Sequence, residues 1–351
     1  MKLVYFTKYS KNGASSRLRS YQYIPLLEKE GFEVSVFSLF DENYVNSLED
    51  NKILNLNFFK FYFIRFLELF TVYKYDIVII EKELFPYFFS WFERIFWLFG
   101  VKYIVDYDDA IFHNYDLSKN KIVSILLKNK INTVMKLSNC VLAGNSYLAE
   151  RAKVAGAQKI IIQPTVIDID RYKVKTNHKN TKIIIGWIGS PTTFKYVKKI
   201  KDIFKELSAK YDLEFQIVGA KNDGAFGKNV KFISWSEENE VTLISQFDIG
   251  IMPLENSPWE LGKCAYKLIQ YMGCALPVVA SAVGMNNEVV DNGKNGFLVT
   301  TKQEWLEKLS LLIENEILRK QFGKQGRIDI ETKYSNKITF QTLLSVIKDG
   351  A

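Results

Sequence analysis

Short apolar runs alternate with helical patterns along this chain, and this alternation most constrains its fold. In the first half, the apolar runs lie at 3–7, 32–40, 76–81, 103–108 and 139–144. Strands separated by helical stretches predict a parallel, doubly wound sheet, because the connection between parallel strands is usually a helix. The runs are almost continuously apolar, which agrees with strands buried on both faces.

A polar and charged segment at 167–182 interrupts this pattern, which then restarts. The second series of apolar runs lies at 182–190, 215–220, 230–235, 247–254, 276–281 and 296–300. We therefore predict an α/β protein with two doubly wound, Rossmann-like domains. The predicted segments are an N-terminal domain at 1–170, a linker at 171–182, a second domain at 183–332 and a C-terminal helix at 333–351, which could pack back on the first domain. Ligands of such sheets bind at the carboxyl ends of the strands, so two domains facing a central cleft suit two substrates.

Composition argues against several classes of protein. The chain has three cysteines, none in a CxxC pair, and two histidines, which argues against a zinc site or a disulfide scaffold. The start lacks an apolar stretch of signal-peptide length, and no run reaches the roughly 18–20 apolar residues of a spanning helix, so we expect a cytoplasmic protein. The net charge of +8 favours an anionic partner. No nucleic-acid-binding motif accompanies that charge, so we expect no nucleic-acid partner.

Two features bear on contact with a membrane. Residues 115–136 contain five lysines and one acidic residue and predict a basic amphipathic helix, which either faces solvent or contacts an anionic membrane. The segments 57–75 and 84–103 combine aromatic residues with Lys and Arg, which suits either a core or an interfacial surface. We favour the interfacial surface and expect peripheral contact with the inner face of the cell membrane.

The stretch GWIGSPTTFKYV at 186–197 predicts a strand-to-helix turn. Gly189 allows a tight turn, and Ser190 or Thr192 can cap a helix predicted from about 192 to 211. Free N–H groups at a helix start bind anions, and Lys195 adds positive charge. The spacing matches neither GxGxxG nor GxxxxGK[ST], so a purely structural turn is the alternative.

The stretch GKCAYKLIQYMGCALPVVAS at 262–281 predicts a helix that starts at about Lys263 and leads into a strand. Lys263, Lys267 and Gln270 are spaced i, i+4, i+7 and would share one helix face. Lysines near a helix N-terminus oppose the helix dipole, and an anionic ligand there would remove the conflict.

The stretch FISW at 232–235 ends another predicted strand on the same sheet. Ile233, Gly219 and Trp235 could hold a flat base, although Trp235 could equally be a core residue. A diphosphate at two helix starts with a base beyond it describes a nucleotide-sugar donor.

The loop NGASSRLR at 12–19 follows the first predicted strand of the N-terminal domain. Gly13, Ala14 and Ser15 can bend tightly and present N–H groups, while Arg17 and Arg19 add charge. We predict that these residues contact the acceptor. In EKELFPY at 81–87, Glu81 and Glu83 also end a strand, and Glu83 is a further candidate acceptor contact.

Three carboxylates fall within four residues in DYDDAIF at 106–112. Carboxylates this close repel one another and need a cation, hydrogen bonds or open water. One interpretation is a metal-binding DxD motif that holds the donor diphosphate. We favour a metal-free cluster in which Asp108 and Asp109 bind acceptor hydroxyls or support catalysis, because the second domain already supplies cationic contacts.

The stretch 247–299 resembles the donor-site signature of the retaining family-4 (group 1) glycosyltransferases, which have the GT-B fold. GWIGSP, NSYLAERA at 145–152 and NGASSRLRSYQ at 12–22 resemble the same family. The resemblance implies that the loop Gly189–Thr192 with Lys195 contacts the diphosphate and that a basic residue facing the phosphates falls on Lys263 or Lys267. Because these groups supply positive charge, we expect no metal cofactor. The family keeps two glutamates eight residues apart, and Gly262 and Gln270 stand at those positions here.

Candidate site residues follow from the motifs and the resemblance together. The candidate catalytic residues are Lys267, Asp108 and Asp109. The candidate donor contacts are Gly189, Ser190, Thr192, Lys195, Gly219, Ile233, Trp235, Glu260, Lys263, Cys264, Ala265, Tyr266 and Gln270, with Glu260 expected to compensate for the absent glutamate at 262.

The resemblance implies a retaining hexosyltransferase. It would move a sugar from a nucleotide diphosphate donor, expected to be UDP-linked, to a saccharide or lipid-linked saccharide in cell-surface polysaccharide or glycolipid synthesis. Two alternatives stay open: a nucleotide-sugar 2-epimerase of the same architecture, and an inactive sugar-nucleotide-binding partner subunit, which the departures at 262 and 270 favour.

Overall fold

Two parallel β-sheets organise the chain, one in each of two structural units. The computed structural model describes residues 1–49, 58–174 and 182–350. The first unit comprises residues up to Thr165, the short segment Leu261–Cys264 and the C-terminal helix, and the second comprises Val166–Glu260 and Ala265–Ser335. The predicted linker at 171–182 falls in part on residues 175–181, which lie outside the described residues.

The first sheet contains six described strands in the order β2-β1-β3-β4-β5-β6, and every pair is parallel. Its strands are β1 (Lys2–Tyr9), β2 (Glu33–Phe40), β3 (Ile77–Glu81), β4 (Tyr103–Tyr107), β5 (Cys140–Ala143) and β6 (Ile160–Ile162). All residues of β3, β4 and β5 are buried, as the continuous apolar runs predicted. The sequence analysis missed the three-residue strand β6, which is too short to give a clear pattern.

Nine short helices follow the strands of the first unit, and a tenth closes the chain. They are α1 (Ala14–Ser16), α2 (Ile24–Lys29), α3 (Glu42–Glu49), α4 (Phe58–Leu69), α5 (Trp91–Leu98), α6 (His113–Asp116), α7 (Lys121–Leu126), α8 (Lys130–Leu137), α9 (Ser146–Ala155) and, at the C-terminus, α18 (Asn336–Gly350), counted over the described residues. The single basic helix predicted at 115–136 is wrong, because α6, α7 and α8 share that stretch. The Asn120 side chain accepts hydrogen bonds from two N–H groups of α7 and starts a new helix there.

The second sheet has the order β12-β11-β10-β7-β8-β9 and is also parallel throughout its described strands. Its strands are β7 (Ile183–Ile188), β8 (Leu213–Val218), β9 (Val230–Ile233), β10 (Ile249–Met252), β11 (Val278–Ser281) and β12 (Gly296–Val299). The strand order reverses between β7 and β10, and ligands of open α/β sheets bind outside the carboxyl ends of strands at such a point. Gly189 is the first residue after β7.

The helices of the second unit are α10 (Phe194–Lys199), α11 (Lys201–Lys210), α12 (Glu240–Ile244), α13 (Pro258–Leu261), α14 (Tyr266–Gly273), α15 (Asn286–Val289), α16 (Lys302–Glu314) and α17 (Glu316–Lys333), with the end of α13 reaching into the first unit. The continuous helix predicted from 192 to 211 is wrong in detail: a 3-10 turn at Pro191–Thr193 precedes α10, and the chain breaks between α10 and α11 at Ile200. The two helices bury Phe194 and Phe204 in an apolar core with Phe215 of β8. The Phe204 and Phe215 rings stack with their centroids 3.8 Å apart.

Candidate functional site

Glycines allow a close approach of three strand ends in the second unit. Gly189 follows β7 and its N–H donates to Val218 O, while Gly219 follows β8 and its N–H donates to Ile233 O. Gly219 has φ +87°, and a Cβ there would lie 2.4 Å from Gly189 O. Only glycine therefore fits at position 219, for both conformational and steric reasons.

Lys267 lies against the same strand ends. A Cβ at Gly189 would lie 2.7 Å from Lys267 Cε and 2.6 Å from the Trp187 ring. The Lys267 ammonium lies 5.7 Å from the centroid of that ring, within cation–π range. The packing brings Lys267 of α14 to the loop that begins at Gly189, although 78 positions separate them in the sequence.

The loop after Gly189 adds hydroxyl groups beside this lysine. Ser190 Oγ and Thr192 Oγ1 lie 2.9 Å apart, and Thr193 Oγ1 donates to Ser190 O. Ser190 and Thr192 are exposed. Exposed hydroxyls next to a lysine form a surface that can donate hydrogen bonds to an anion. Of the predicted donor contacts, Gly189, Ser190, Thr192 and Gly219 thus lie close to Lys267.

Lys195 and Glu260 are also neighbours within this unit. Lys195 Nζ lies 3.9 Å from a Glu260 carboxylate oxygen and 4.8 Å from the centroid of the Tyr196 ring. Glu260 is buried and accepts hydrogen bonds from the Tyr196 and Ser257 hydroxyls. Burial alone would raise the pKa of Glu260, but these hydrogen bonds outweigh burial and hold that pKa below its usual value.

The expected compensation by Glu260 for the absent glutamate at 262 stays a prediction. Its carboxylate is enclosed and already accepts hydrogen bonds from two hydroxyl groups. Its position suits a different task, which is to hold Lys195 and Tyr196 in place.

The predicted helix start at Lys263 is also wrong. The helix α14 begins at Tyr266, preceded by Ala265 in the left-handed conformation with φ +50°. Lys263 lies outside the helix, so only Lys267 and Gln270 share the predicted stripe. The Lys263 ammonium lies 3.2 Å from Asp109 Oδ1 within the first unit.

Gln270 is buried in a polar network instead of facing an open site. Its amide donates to the Tyr172 hydroxyl over 2.9 Å, and that hydroxyl donates to Glu240 Oε1 over 2.8 Å. The Trp235 indole N–H donates to the other oxygen of Glu240 over 3.0 Å. Glu240 thus connects two of the predicted donor contacts, Gln270 and Trp235, and fixes their orientation.

The remaining predicted donor contacts occupy less open positions. Ile233 ends β9, Ala265 and Cys264 are buried, and Tyr266 is partly buried. The Cys264 thiol lies 3.1 Å from Asp108 O in the first unit, and burial raises the pKa of this thiol to about 12. Cys264 is therefore a neutral packing residue.

A charged cluster forms at the carboxyl ends of β3 and β4 in the first unit. Glu81 accepts hydrogen bonds from the Ser16 hydroxyl over 2.5 Å and from Lys8 N over 2.9 Å. The Ser15 hydroxyl lies 2.8 Å from Glu81 and 2.7 Å from Asp108. The NGASSR loop is thereby tied to both strand ends by its two serines.

Lys82 provides the positive charge in this cluster. Its ammonium lies 2.8 Å from Asp108 and 3.8 Å from Asp109, and Lys82 is buried with φ +67°. Burial would raise the pKa of Asp108, but Lys82 and Arg19 outweigh burial and hold that pKa at about 2. Asp108 is therefore ionised at neutral pH. Asp109 is flanked by two lysines, Lys82 and Lys263.

Lysines thus stand where the alternative metal-binding interpretation would place a cation. Among the residues that the structure describes, no group of three or more His, Cys, Asp or Glu side chains is arranged to hold a metal ion.

Two predicted acceptor contacts, Arg19 and Glu83, each form an ion pair with a different buried residue. Arg19 is buried and donates to both carboxylate oxygens of Asp106, through Nε over 2.9 Å and through an Nη. Glu83 is buried and accepts from the Tyr115 hydroxyl over 2.7 Å and from the Lys130 ammonium. Both charged groups are enclosed by their partners, and their assignment as acceptor contacts stays a prediction.

The other predicted acceptor contacts lie in the loop after β1. Gly13 packs so tightly that a Cβ there would lie 2.4 Å from Tyr9 Cβ, and Ala14 begins α1. Arg17 is buried. Ser15 is the predicted acceptor residue that the structure joins directly to Asp108.

Three residues that organise these sites were not predicted from the sequence: Lys82, Tyr196 and Glu240. Lys82 stands between Glu81 and Glu83, and a lone lysine between two strand-end glutamates was the available signal. Tyr196 and Glu240 gave no local signal, because their partners Glu260 and Tyr172 are remote in the sequence.

Comparisons with known proteins agree with this geometry. Residues 168–329 match the family described as glycosyl transferases group 1. The chain is 24% identical over 196 residues to CapM, the capsular polysaccharide biosynthesis glycosyltransferase of Staphylococcus aureus. That match covers 53% of this chain and 52% of CapM, so the chain spans about half the length of this curated relative.

Solved structures show the same fold over the whole chain. Sucrose-phosphate synthase from Thermosynechococcus elongatus has a TM-score of 0.75 at 12% identity, covering 99% of this chain and 98% of that protein. HepE of Anabaena, solved in complex with UDP-glucose, has a TM-score of 0.75 at 14% identity, covering 99% and 100%.

The fold is therefore GT-B, and residues 168–329 are similar to the group 1 glycosyltransferases. The resemblance predicted from the sequence, to the group 1 glycosyltransferases, is confirmed. None of the helices in the described ranges is long and apolar enough to cross a lipid bilayer.

Proposed function

We propose that this chain is a retaining glycosyltransferase that moves a sugar from a nucleotide diphosphate donor, UDP-linked, to a saccharide or lipid-linked saccharide. The product would enter cell-surface polysaccharide or glycolipid synthesis. The observation that carries this proposal is the position of Lys267 against Gly189 and Trp187, beside the exposed hydroxyls of Ser190 and Thr192. The complex of HepE with UDP-glucose and the assignment of CapM to capsular polysaccharide synthesis support the donor and product classes.

The leaving diphosphate develops negative charge as the bond to the sugar breaks. Lys267 and Lys195 place positive charge at the strand ends of the second unit, and the hydroxyls of the Gly189 loop add donors. Fixed charges and donors aimed at developing charge stabilise a transition state more than the ground state. Trp235 and Ile233 at the end of β9 suit stacking and packing against the base.

The acceptor side of the proposal rests on the first unit. Asp108 and Asp109 are only partly buried, so ionised Asp108, with Ser15 and Asp109, presents oxygens that can accept hydrogen bonds from sugar hydroxyls. The carboxylate of Asp108 is a weak base, because its pKa is about 2. In the proposed reaction the departing phosphate takes the acceptor proton, and Asp108 orients the attacking hydroxyl.

Nucleotide release with a panel of UDP-, GDP- and ADP-sugars tests the proposal. We expect UDP release from one UDP-sugar that increases on addition of a saccharide acceptor. We expect Lys267→Ala to lower kcat by about 10²-fold or more, as expected for removal of a group that stabilises the leaving group. Nuclear magnetic resonance of the product should show the anomeric configuration of the donor.

Lys308→Ala is a matched control for Lys267→Ala. Lys308 also lies over an aromatic ring, that of Phe297 at 5.2 Å, but Phe297 belongs to the edge strand β12, three strands from β7. Lys308→Ala should leave turnover unchanged. Nucleotide binding without release from any donor would contradict the enzyme and favour the inactive binding subunit. Donor conversion to its 2-epimer without an acceptor would identify the epimerase instead.

A further inference from the structure

Large apolar side chains are exposed on one face of α4. Phe59, Phe63 and Phe66 are spaced i, i+4, i+7 on one side of the helix, Phe70 directly follows its end at i+11, and all four are exposed. Phe59 keeps 78% of its surface exposed. A helix of a globular protein normally turns such a stripe toward the core.

The opposite side of α4 is the one that docks on the sheet. Arg65 is buried and donates to Thr7 O over 3.0 Å and to Phe37 O over 2.9 Å. Burial lowers the pKa of Arg65 to about 10. Because Arg65 and the buried Leu69 anchor the helix from beneath, the phenylalanine stripe is directed outward.

A second helix continues this surface. Trp91, Ile95 and Leu98 of α5 are spaced i, i+4, i+7 and are exposed, and Phe99 directly after the helix is 81% exposed. Buried Phe96 and Glu93 hold the other side of α5. Phe88 and Phe89 precede the helix, with their ring centroids 5.3 and 5.2 Å from that of Trp91.

Aromatic contacts join α4, α5 and the turn before α5 into one surface. The Phe66 and Phe92 ring centroids are 5.9 Å apart, and the Tyr62 hydroxyl donates to Pro86 O over 2.7 Å. We define the aromatic face as the exposed residues Phe59, Phe63, Phe66, Phe70, Phe88, Phe89, Trp91, Ile95, Leu98 and Phe99.

Helix α7 presents a further exposed segment of the same unit that is both basic and apolar. The turn that carries Pro86 also receives a hydrogen bond at Phe85 O from Lys130, in the helix that follows α7. Ile122, Ile125 and Leu126 of α7 are exposed. Residues 117–128 therefore combine exposed apolar side chains with exposed lysines.

Exposed charge around the aromatic face has one predominant sign. Within 58–130, all of which the structure describes, seven basic residues and one acidic residue, Asp76, are exposed. The basic residues are Lys60, Lys74, Arg94, Lys102, Lys119, Lys121 and Lys128.

We propose that the aromatic face docks on an anionic lipid bilayer and lies in its interfacial region. Aromatic side chains interleaved with lysines suit the headgroup boundary, where the rings enter the acyl region and the ammonium groups meet anionic lipids. The charge pattern disfavours a second copy of this chain, since a two-fold interface would bring the same basic residues together. The surface is independent of the donor site, and the proposal stands whether or not the proposed function is correct.

Co-sedimentation of the full chain with vesicles tests this proposal without any sugar donor. The vesicles are pure phosphatidylcholine or phosphatidylcholine with phosphatidylglycerol. We expect binding only to the anionic vesicles. The triple variant Phe59→Ser/Phe63→Ser/Trp91→Ser should lower the partition coefficient by roughly a hundredfold, because it removes three interfacial apolar side chains. Lys119→Gln/Lys121→Gln/Lys128→Gln should lower it by a similar factor, roughly a hundredfold, and remove most of its dependence on salt.

Two controls accompany the vesicle experiment. Ile317→Ser and Val154→Ser replace apolar residues that are also highly exposed but lie outside the aromatic face, and both should bind vesicles as the parent chain does. Circular dichroism shows that each variant is folded. Failure of the parent chain to bind anionic vesicles would overturn the proposal. A dimer in light scattering that the triple aromatic variant converts to a monomer would also overturn it and show a protein interface.

Discussion

Lys82 combines an unusual backbone conformation with a buried ion pair. It has φ +67°, a region that side chains with a Cβ rarely adopt, directly after β3. Its ammonium there reaches Asp108 over 2.8 Å. Backbone strain at a strand end is retained where the surrounding contacts determine it, and such positions are frequent at functional sites.

Replacing Lys82 by alanine or glycine separates the strain from the ion pair. Lys82→Ala should lower the free energy of unfolding by about 3–5 kcal/mol, because the largely enclosed Asp108 carboxylate loses its cation. Lys82→Gly should lower it by about 1 kcal/mol less, since glycine accepts positive φ without steric cost. Urea denaturation measures both values. The pair Tyr87→Ala and Tyr87→Gly is the control, because Tyr87 has φ +56° and is exposed. Equal losses of unfolding free energy in the two Lys82 variants would show that the positive φ at position 82 is not strained.

Asp108 should make the stability of the first unit depend on pH in a defined window. Its pKa in the folded chain is about 2, below the ordinary value of 3.8, so its contribution is present above about pH 4 and is lost as the pH falls toward 2. A difference of this size corresponds to about 2 kcal/mol. Asp108→Asn should therefore show a smaller loss of unfolding free energy between pH 5 and pH 3 than the parent chain in urea denaturation. The same pH dependence in both proteins would refute this role.

Packing also explains the two departures from the family's glutamate positions. A Cβ at Gly262 would lie 2.6 Å from Ala110 N, so no larger side chain fits that backbone. Gln270 is committed to Tyr172 by its amide. A carboxylate at either position would conflict with its immediate surroundings, and the differences are therefore consistent with the rest of this structure.

Among the structural elements, the loops after β7 and β8 shape the proposed donor site. The glycines of these two loops are in contact. A Cβ on Gly219 would lie 2.4 Å from Gly189 O. The helices α10 and α14 have six and eight residues, so their dipoles contribute little positive potential. Charged side chains on α10 and α14 supply the positive potential instead.

Substitution of Gly219 tests the importance of this loop contact. Gly219→Ala should lower the unfolding free energy by about 1–3 kcal/mol, from positive φ and steric overlap together. It should also weaken UDP binding by roughly tenfold, because displacement of the Gly189 loop moves its hydroxyls away from Lys267. Denaturation and calorimetry measure the two effects.

Gly227→Ala is the matched control for Gly219→Ala. A Cβ at Gly227 meets nothing within 4 Å and its φ is not positive, so the substitution should be neutral in both measurements. Unchanged stability and binding in Gly219→Ala would show that the loop tolerates displacement.

In both units of the chain, lysines lie beside the groups of polar residues that could otherwise bind a metal ion. Lys267 and Lys195 lie at the proposed diphosphate site, and Lys82 and Lys263 flank Asp108 and Asp109. Positive side chains can stabilise a leaving diphosphate without a divalent ion.

Removal of divalent metal should therefore leave the proposed activity unchanged. Nucleotide release would be measured with the chain dialysed against EDTA, and again after addition of Mg²⁺ or Mn²⁺. We expect equal turnover under both conditions. Loss of activity in EDTA that either ion restores would contradict a metal-free transfer. A commercial metal-dependent glycosyltransferase assayed in parallel shows that the chelation is complete.

The repeated alternation of strands and helices was sufficient to predict two parallel sheets. A strand that is covered on both faces must be apolar along its whole length, so its burial can be predicted from its own residues. The same local logic located the loops after β1 and β7, since glycines and small hydroxyl residues mark tight turns in any context. The motif carrying Lys267 was also recognisable, because its residue types and spacing are contiguous in the chain.

From the sequence alone, the architecture, the strand-end loops and the resemblance to group 1 glycosyltransferases could be predicted. Which charged residues stay exposed depends on tertiary packing. Arg19, Glu83 and Glu260 are charged residue types that often bind ligands. Each is nevertheless enclosed by a partner from a distant part of the chain. Lys263 lies outside the helix predicted for it and pairs with Asp109. The phenylalanines of α4 face outward because Arg65 anchors the other side of that helix. Burial and pairing depend on residues that meet only after folding, and no local pattern records them.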